Sequence, residues 1–279
     1  MVIIGMYGLG DNIYQRSVLR EVKEEVYLHT TWPQLYSDLP GIKCVQPKTN
    51  LRTQLKNLHL QPASVWHIAP CFPPIRMTYT SSSLRCGSIL KAMGSKVGTE
   101  PKIFDIPKFP KLDIPKPYAV IRPVTIRSEW YNIARGPEDA YLDTASGILR
   151  DNGYHVVSVA DICEKEWCKQ LPEVDTPYNH GELIFEQLMG LIQNADLVVG
   201  GVGWIVPACV ASKTPLIVIL GGCGGHNSPE KIIDKPMDLQ NVNFIFPDNF
   251  CMCKDNRHVC NKTISGFEKK FLDAVKELL

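Results

Sequence analysis

The chain has 279 residues, 44% of them hydrophobic and 21% charged, with a net charge of +1. This is ordinary globular composition, which excludes a disordered or fibrous chain, and no apolar run is long enough to cross a bilayer. Ten scattered cysteines in a chain this long are not needed as disulfide staples, so they are expected to be reduced and the protein cytoplasmic.

Met1-Val-Ile-Ile-Gly-Met lacks the basic flank and cleavage site of a signal peptide, and Val2–Met6 reads as a buried first strand. A helix follows from about Asn12 to Glu25, with Val18, Leu19, Val22 and Val26 at helical spacing. Val26–His29 and Ile42–Val45 read as the next strands. Pro70–Thr80 is too proline-rich for helix, and Ser81–Lys96 reads as another helix. Five prolines in Pro101–Pro117 mark an extended, semi-rigid linker. After it come a strand at Tyr118–Val124, a helix at Pro137–Asn152 and, past Gly153, a strand at Tyr154–Val159. A helix from Gly181 to Gln193, a strand at Asp196–Val199, a helix after Gly203, and strands at Pro215–Leu220 and Asn241–Phe246 complete the alternation. Ser265–Leu279 closes the chain as an amphipathic helix. Alternating strands and helices predict an α/β fold with parallel sheets covered on both faces. Two such halves, residues 1–115 and 116–279, would face a central ligand-binding cleft, with the last helix crossing back. Residues 42–122 carry 13 Lys or Arg against 3 acids. This suits a polyanionic partner, or else is a chance collection of loop lysines.

Gly8-Leu-Gly10-Asp11-Asn12 lies between the first strand and the first helix, where glycines allow a sharp turn and close approach of a ligand. It is not a dinucleotide fingerprint, because Ile13 stands where the third glycine would be. Asp11 is either an N-cap or a carboxylate placed to take a proton from a hydroxyl. Residues 7–23, YGLGDNIYQRSVLREVK, resemble the opening of the bacterial heptosyltransferases of glycosyltransferase family 9. That resemblance implies the GT-B architecture of two Rossmann-like domains, the first binding an acceptor and the second a donor. It makes Asp11 the general base of an inverting transfer, with Gly10, Asn12 and Arg16 on the acceptor side.

Val120–Trp130, VIRPVTIRSEW, is similar to the family's strand, proline, hydroxyl residue, basic residue and tryptophan. The resemblance gives Thr125 and Arg127 the donor's pyrophosphate, and a guanidinium suits two-point contact with phosphate. Residues 182–222 resemble the family's donor helix and last strands. Here, however, Gly201-Val202 replaces an Asp-Ser/Thr pair and Val206 replaces a histidine. Gly201, Gly203 and Trp204 at the helix start, and Gly222 in the loop Gly221–Ser228, are the remaining donor-side candidates. That glycine-rich loop could wrap phosphate or sugar, or be a plain turn.

Cys251, Cys253, His258 and Cys260 form a possible tetrahedral zinc set. Their C-x-C is tighter than the usual hairpin spacing, and a cysteine-rich patch before the last helix is also a feature of the resembled family. The reading adopted needs no cofactor or metal. It is transfer of a sugar from a nucleotide-diphosphate sugar to a hydroxyl of an anionic acceptor, such as a lipooligosaccharide core. The acceptor could instead be DNA with hydroxymethylated pyrimidines, or the chain could bind nucleotide sugars without catalysis.

Overall fold

The computed structural model describes residues 1–80, 84, 87–128, 131–164 and 166–279. Its contacts divide the chain into two compact units, Met1–Lys108 with Pro229–Asp238, and Phe109–Ser228 with Leu239–Leu279.

The first unit runs β1 (Val2–Ile4), α1 (Leu9–Leu19), β2 (Val26–His29), β3 (Ile42–Val45), α2 (Arg52–Leu60), β4 (Ile75–Arg76) and α3 (Ile89–Val97). Its four strands are parallel, in the order β3-β2-β1-β4. The apolar run of β1 is central: fully buried Ile3 pairs with Leu28 on one side and Ile75 on the other. Helix α1 starts three residues earlier than its apolar spacing predicts and ends six earlier. The Val22 N–H turns back to the Leu19 carbonyl, which closes the helix before the acidic run Glu21–Glu25. The proline-rich 70–80 segment is irregular as expected apart from β4, and α2 is an addition. Of the helix expected over Ser81–Lys96, residues 81–83 and 85–86 lie outside the described residues. The described part, α3, is capped by the Ser88 hydroxyl accepting from the Lys91 N–H at 3.2 Å and stops at left-handed Gly98.

The second unit contains β5 (Tyr118–Arg122), β6 (Ile126–Arg127), α4 (Asp139–Asp151), β7 (His155–Val159), β8 (Glu166–Trp167) and β9 (Thr176–Tyr178). It continues with α5 (Phe185–Gln193), β10 (Leu197–Gly200), α6 (Ile205–Ser212), β11 (Leu216–Ile219) and α7 (Gly224–Asn227). After α8 (Pro229–Ile232), which belongs to the first unit, come β12 (Val242–Ile245) and α9 (Phe267–Leu278). Six parallel strands lie in the order β12-β11-β10-β5-β7-β9, a doubly wound sheet whose winding reverses between β5 and β10. The inner strands read as unbroken apolar runs because both faces are covered: Tyr118–Ile121, Leu197–Val199 and Leu216–Ile219 are all fully buried. Leu142, Ala145 and Leu149 of α4 and Phe267 and Phe271 of α9 pack on one face. Each large apolar side chain so buried contributes about 1.5–3 kcal/mol. Helix α9 therefore stays with its own unit and does not cross back; the segment that joins the first unit is Pro229–Asp238.

The proline-rich segment is extended but fastened. Phe104 and Ile106 are buried, and Phe104 packs on Tyr14 with ring centroids 5.6 Å apart. From Phe109 onward its partners change: the Phe109 N–H donates to Gln193 Oε1 at 2.8 Å, and its ring meets Phe185 edge-on at 5.2 Å.

Candidate active site

In a parallel sheet, ligands bind at the carboxyl ends of strands where the winding reverses. In the first unit that point lies between β1 and β4. The chain leaving β1 turns into α1 through Gly8, which is the N-cap, so Asp11 is the third residue of the helix rather than its cap. The chain leaving β4 brings Tyr79, whose hydroxyl donates to Asp11 Oδ1 at 2.9 Å. The other carboxylate oxygen folds over Gly8, where an added Cβ would lie 2.4 Å away, so a side chain there would displace it. A carboxylate in the first turn also gains from the helix dipole. Burial and then the Asp11 charge push the Tyr14 hydroxyl far above its ordinary range, and that hydroxyl donates to the Ile232 carbonyl at 2.8 Å.

Asn12 and Arg16, expected beside the acceptor, are instead fully buried with filled hydrogen-bond sets. Asn12 Nδ2 donates to the Met6 and Gly8 carbonyls at 2.6 and 2.9 Å, and its Oδ1 accepts from Thr30 at 2.7 Å and Tyr36 at 3.0 Å. Arg16 makes a two-point pair with Asp38 at 2.6 and 2.7 Å, and reaches Asp105 and the Leu35 carbonyl. Its guanidinium holds the Asp38 carboxyl below the usual range. Both residues shape the turn that carries Asp11 and leave nothing for an acceptor. Gly10 lies within α1, half-buried.

In the second unit the reversal lies between β5 and β10, and Arg122 ends β5 there. Burial first, then the charges of Arg135 and Arg127, lower its guanidinium to about 10, against the opposing pull of Glu166. Arg122 donates to Thr125 Oγ1 at 3.1 Å and lies 6.0 Å from the Trp204 ring. Its guanidinium is 3.3 Å from where a Cβ on Gly203 would stand. Thr125, Arg127, Gly203 and Trp204 are thus gathered around Arg122, a residue the sequence reading passed over as the end of a strand. The signal was present, since a charged residue directly ends the apolar run Tyr-Ala-Val-Ile. A Cβ on Gly201 would meet Pro137 at 2.8 Å, so its smallness serves packing. Val202 and Val206 are buried. Trp130 lies outside the described residues.

No protein-family profile matches the sequence, and no curated protein matches it. Solved structures do. TibC, the iron-containing dodecameric glycosyltransferase of enterotoxigenic E. coli H10407, aligns over 99% of this chain and 73% of its own, at 14% identity and a TM-score of 0.61. Its complex with ADP-D-beta-D-heptose gives 0.66 over 99% and 75%, also at 14% identity. A family 9 glycosyl transferase from Veillonella parvula DSM 2008 gives 0.55 over 99% and 96%, at 12% identity. The fold is that of the heptosyltransferases.

In the loop Gly221–Ser228 the glycines make room for other parts of the chain. A Cβ on Gly222 would lie 2.4 Å from the Cys260 sulfur, and one on Gly221 would strike the Gly136 carbonyl at 2.0 Å. Gly224 and Gly225 donate to the carbonyls of Cys251 and Cys253 at 2.8 and 3.1 Å. Cys223 adopts a left-handed backbone with φ of 54° and packs its thiol against the same cluster. The ligand atoms of Cys251, Cys253, His258 and Cys260 all lie within 4.8 Å of one another. Cys253–Cys260, Cys251–His258 and His258–Cys260 are separated by 3.6, 3.6 and 3.4 Å. Tetrahedral ligation with metal–sulfur bonds of about 2.3 Å and metal–nitrogen bonds of about 2.0 Å sets ligand atoms roughly 3.5–3.8 Å apart. The set fits a soft-ligand metal, and its three cysteines and the adjoining Cys223 are free thiols.

Proposed function

We propose that the protein is a glycosyltransferase that moves a sugar from a nucleoside-diphosphate sugar to a hydroxyl of an anionic acceptor. What carries this reading is the concentration of guanidinium charge where the second sheet reverses. Burial first, and then the charges of Arg135 and Arg127, lower the proton affinity of Arg122, and a diphosphate relieves that repulsion. The second unit is the donor-binding one. Arg122, Arg127 and Arg135, with Thr125 and the Gly203–Trp204 start of α6, would hold the two phosphates and stabilise them as they leave.

The first unit supplies acceptor binding and the base. Asp11, oriented by Tyr79, would remove the acceptor's proton as its oxygen attacks the anomeric carbon in a single inverting displacement. Arginines neutralise the leaving diphosphate in this scheme, so no step is routed through a metal. Cys251, Cys253, His258 and Cys260 would hold a zinc- or iron-class ion, which supplies a structural cross-link to their loop. The basic 42–122 region supports a polyanionic acceptor, a phosphorylated glycolipid ahead of modified DNA, handled in the cytoplasm. Among the described residues no helix is long and apolar enough to cross a membrane.

The test uses ADP-heptose, the donor bound by TibC. The proposal expects a raised melting point, slow ADP release alone, and faster release with a phosphorylated lipooligosaccharide core. Binding without release on any acceptor supports a non-catalytic nucleotide-sugar-binding protein. Steeply salt-dependent binding to duplex DNA redirects the acceptor assignment. A melting point unmoved by every nucleoside diphosphate and nucleotide sugar contradicts the proposal.

A further inference from the structure

The cysteine loop is tied to the arginine cluster. Its apex residue, Asn256, accepts through its carbonyl from the Ile133 and Ala134 N–H groups at 3.0 and 3.3 Å. Its side chain accepts from Asn132 Nδ2 at 3.0 Å, while Asn132 Oδ1 takes the Arg135 N–H at 3.0 Å. Beyond the last cysteine, Lys262 donates to the Ile133 carbonyl at 2.7 Å. The 132–135 segment is therefore shaped by the loop on one side and by the glycine backbone of Gly221 and Gly222 on the other. Arg135 ends that segment, its N–H held by Asn132 and its carbonyl 2.7 Å from where a Cβ on Gly221 would stand, and its charge adds to those around Arg122.

Between Cys253 and Cys260 the loop contains no regular secondary structure. His258 and Val259 are exposed, so little apolar packing fixes its path. Three thiols and an imidazole lie at tetrahedral spacing around its base. We infer that a metal held by Cys251, Cys253, His258 and Cys260 fixes the Asn256 apex, and through it places Arg135 in the anion site, so that metal occupancy sets nucleotide affinity. The inference rests on the nucleotide-diphosphate reading above. Asn132 and Asn256 are positioning residues in this scheme, and the metal takes no part in the transfer.

The experiment uses the full chain, stripped of metal and reloaded with Co(II), with ADP as the ligand. Loading should give one cobalt per chain and a thiolate-to-cobalt charge-transfer absorption, both lost in Cys253→Ser and Cys260→Ser. Isothermal titration should show ADP binding about tenfold weaker to the stripped protein than to the loaded one. In Arg135→Ala the affinity should already be low and should not change on stripping. Asn132→Ala, loaded and with its cobalt spectrum intact, should bind ADP about fivefold more weakly. Absence of the charge-transfer band overturns the inference. So does an ADP affinity unchanged by stripping, or one that falls as far in Arg135→Ala as in the parent protein. Loaded protein that shows the band but does not bind ADP sinks the nucleotide reading instead, and the coupling with it.

Discussion

Arg16 is fully buried and Arg122 half-buried, and the surroundings of the two arginines are opposite. Arg16 of the first unit is met by two carboxylates, Asp38 and Asp105, and by the Leu35 carbonyl. Arg122 of the second unit is surrounded by more positive charge, from Arg135 and Arg127, with Glu166 as the opposing carboxylate. The first arrangement is electrically complete and holds a turn in shape. The second is improved by an anion from outside. Burial of an arginine therefore does not by itself mark a site; the sign of its neighbours does.

The largest expected effect separates the two units by chemistry. Asp11→Asn should lower transfer by roughly 10²–10⁴-fold while the ADP dissociation constant stays within about twofold. Turnover close to that of the parent protein removes the base assignment. Next, Arg16→Met removes the buried cation between Asp38 and Asp105, leaving them Arg20 alone, and should destabilise the fold by about 3 kcal/mol in urea unfolding, with any residual folded protein still binding ADP. The same pair fixes a pH dependence. Asp38's carboxyl lies below its ordinary value of 3.8 in the folded protein, so its stabilisation is full above that value and is lost as pH falls through the lower folded one. Stability falling just as steeply with acid in Arg16→Met would show that the pair is not responsible. The smallest effect is at the hydroxyl that orients Asp11. Tyr79→Phe should reduce kcat about fivefold with KM unchanged, and a change in KM alone would make Tyr79 a substrate contact instead.

Most of the fold was legible because fully covered parallel strands leave unbroken apolar runs. Tyr118–Ile121 and Leu216–Ile219 are plain examples. Strand β9 was not legible, since Pro177 argues against a strand and is accommodated only because β9 is an edge paired to β7 alone. Helix α2 was missed because its buried residues are Gln54, Asn57 and Leu58, which give no apolar stripe. The site was read less well than the fold, and for one physical reason. Sequence reasoning places polar side chains at the surface, whereas Asn12 and Arg16, one turn apart, lie on the inward face of α1, where their partners come from distant segments. The Gly221–Gly225 run is a second case of partners that the sequence does not show. Its glycines answer a close approach by Cys260, Met252 and Gly136, which only the folded chain brings near.

The central claim is that Arg122 and its neighbouring arginines bind a nucleoside diphosphate. An isothermal titration of ADP into the parent protein and Arg122→Ala, repeated across alkaline pH, tests it most directly. The account predicts affinity about 10- to 100-fold weaker in the variant. It also predicts parent affinity that is level at neutral pH and falls at alkaline pH, where burial and the neighbouring arginines bring Arg122 to about 10, a fall the variant lacks. Equal affinities at neutral pH, with the same alkaline profile in both proteins, would contradict it.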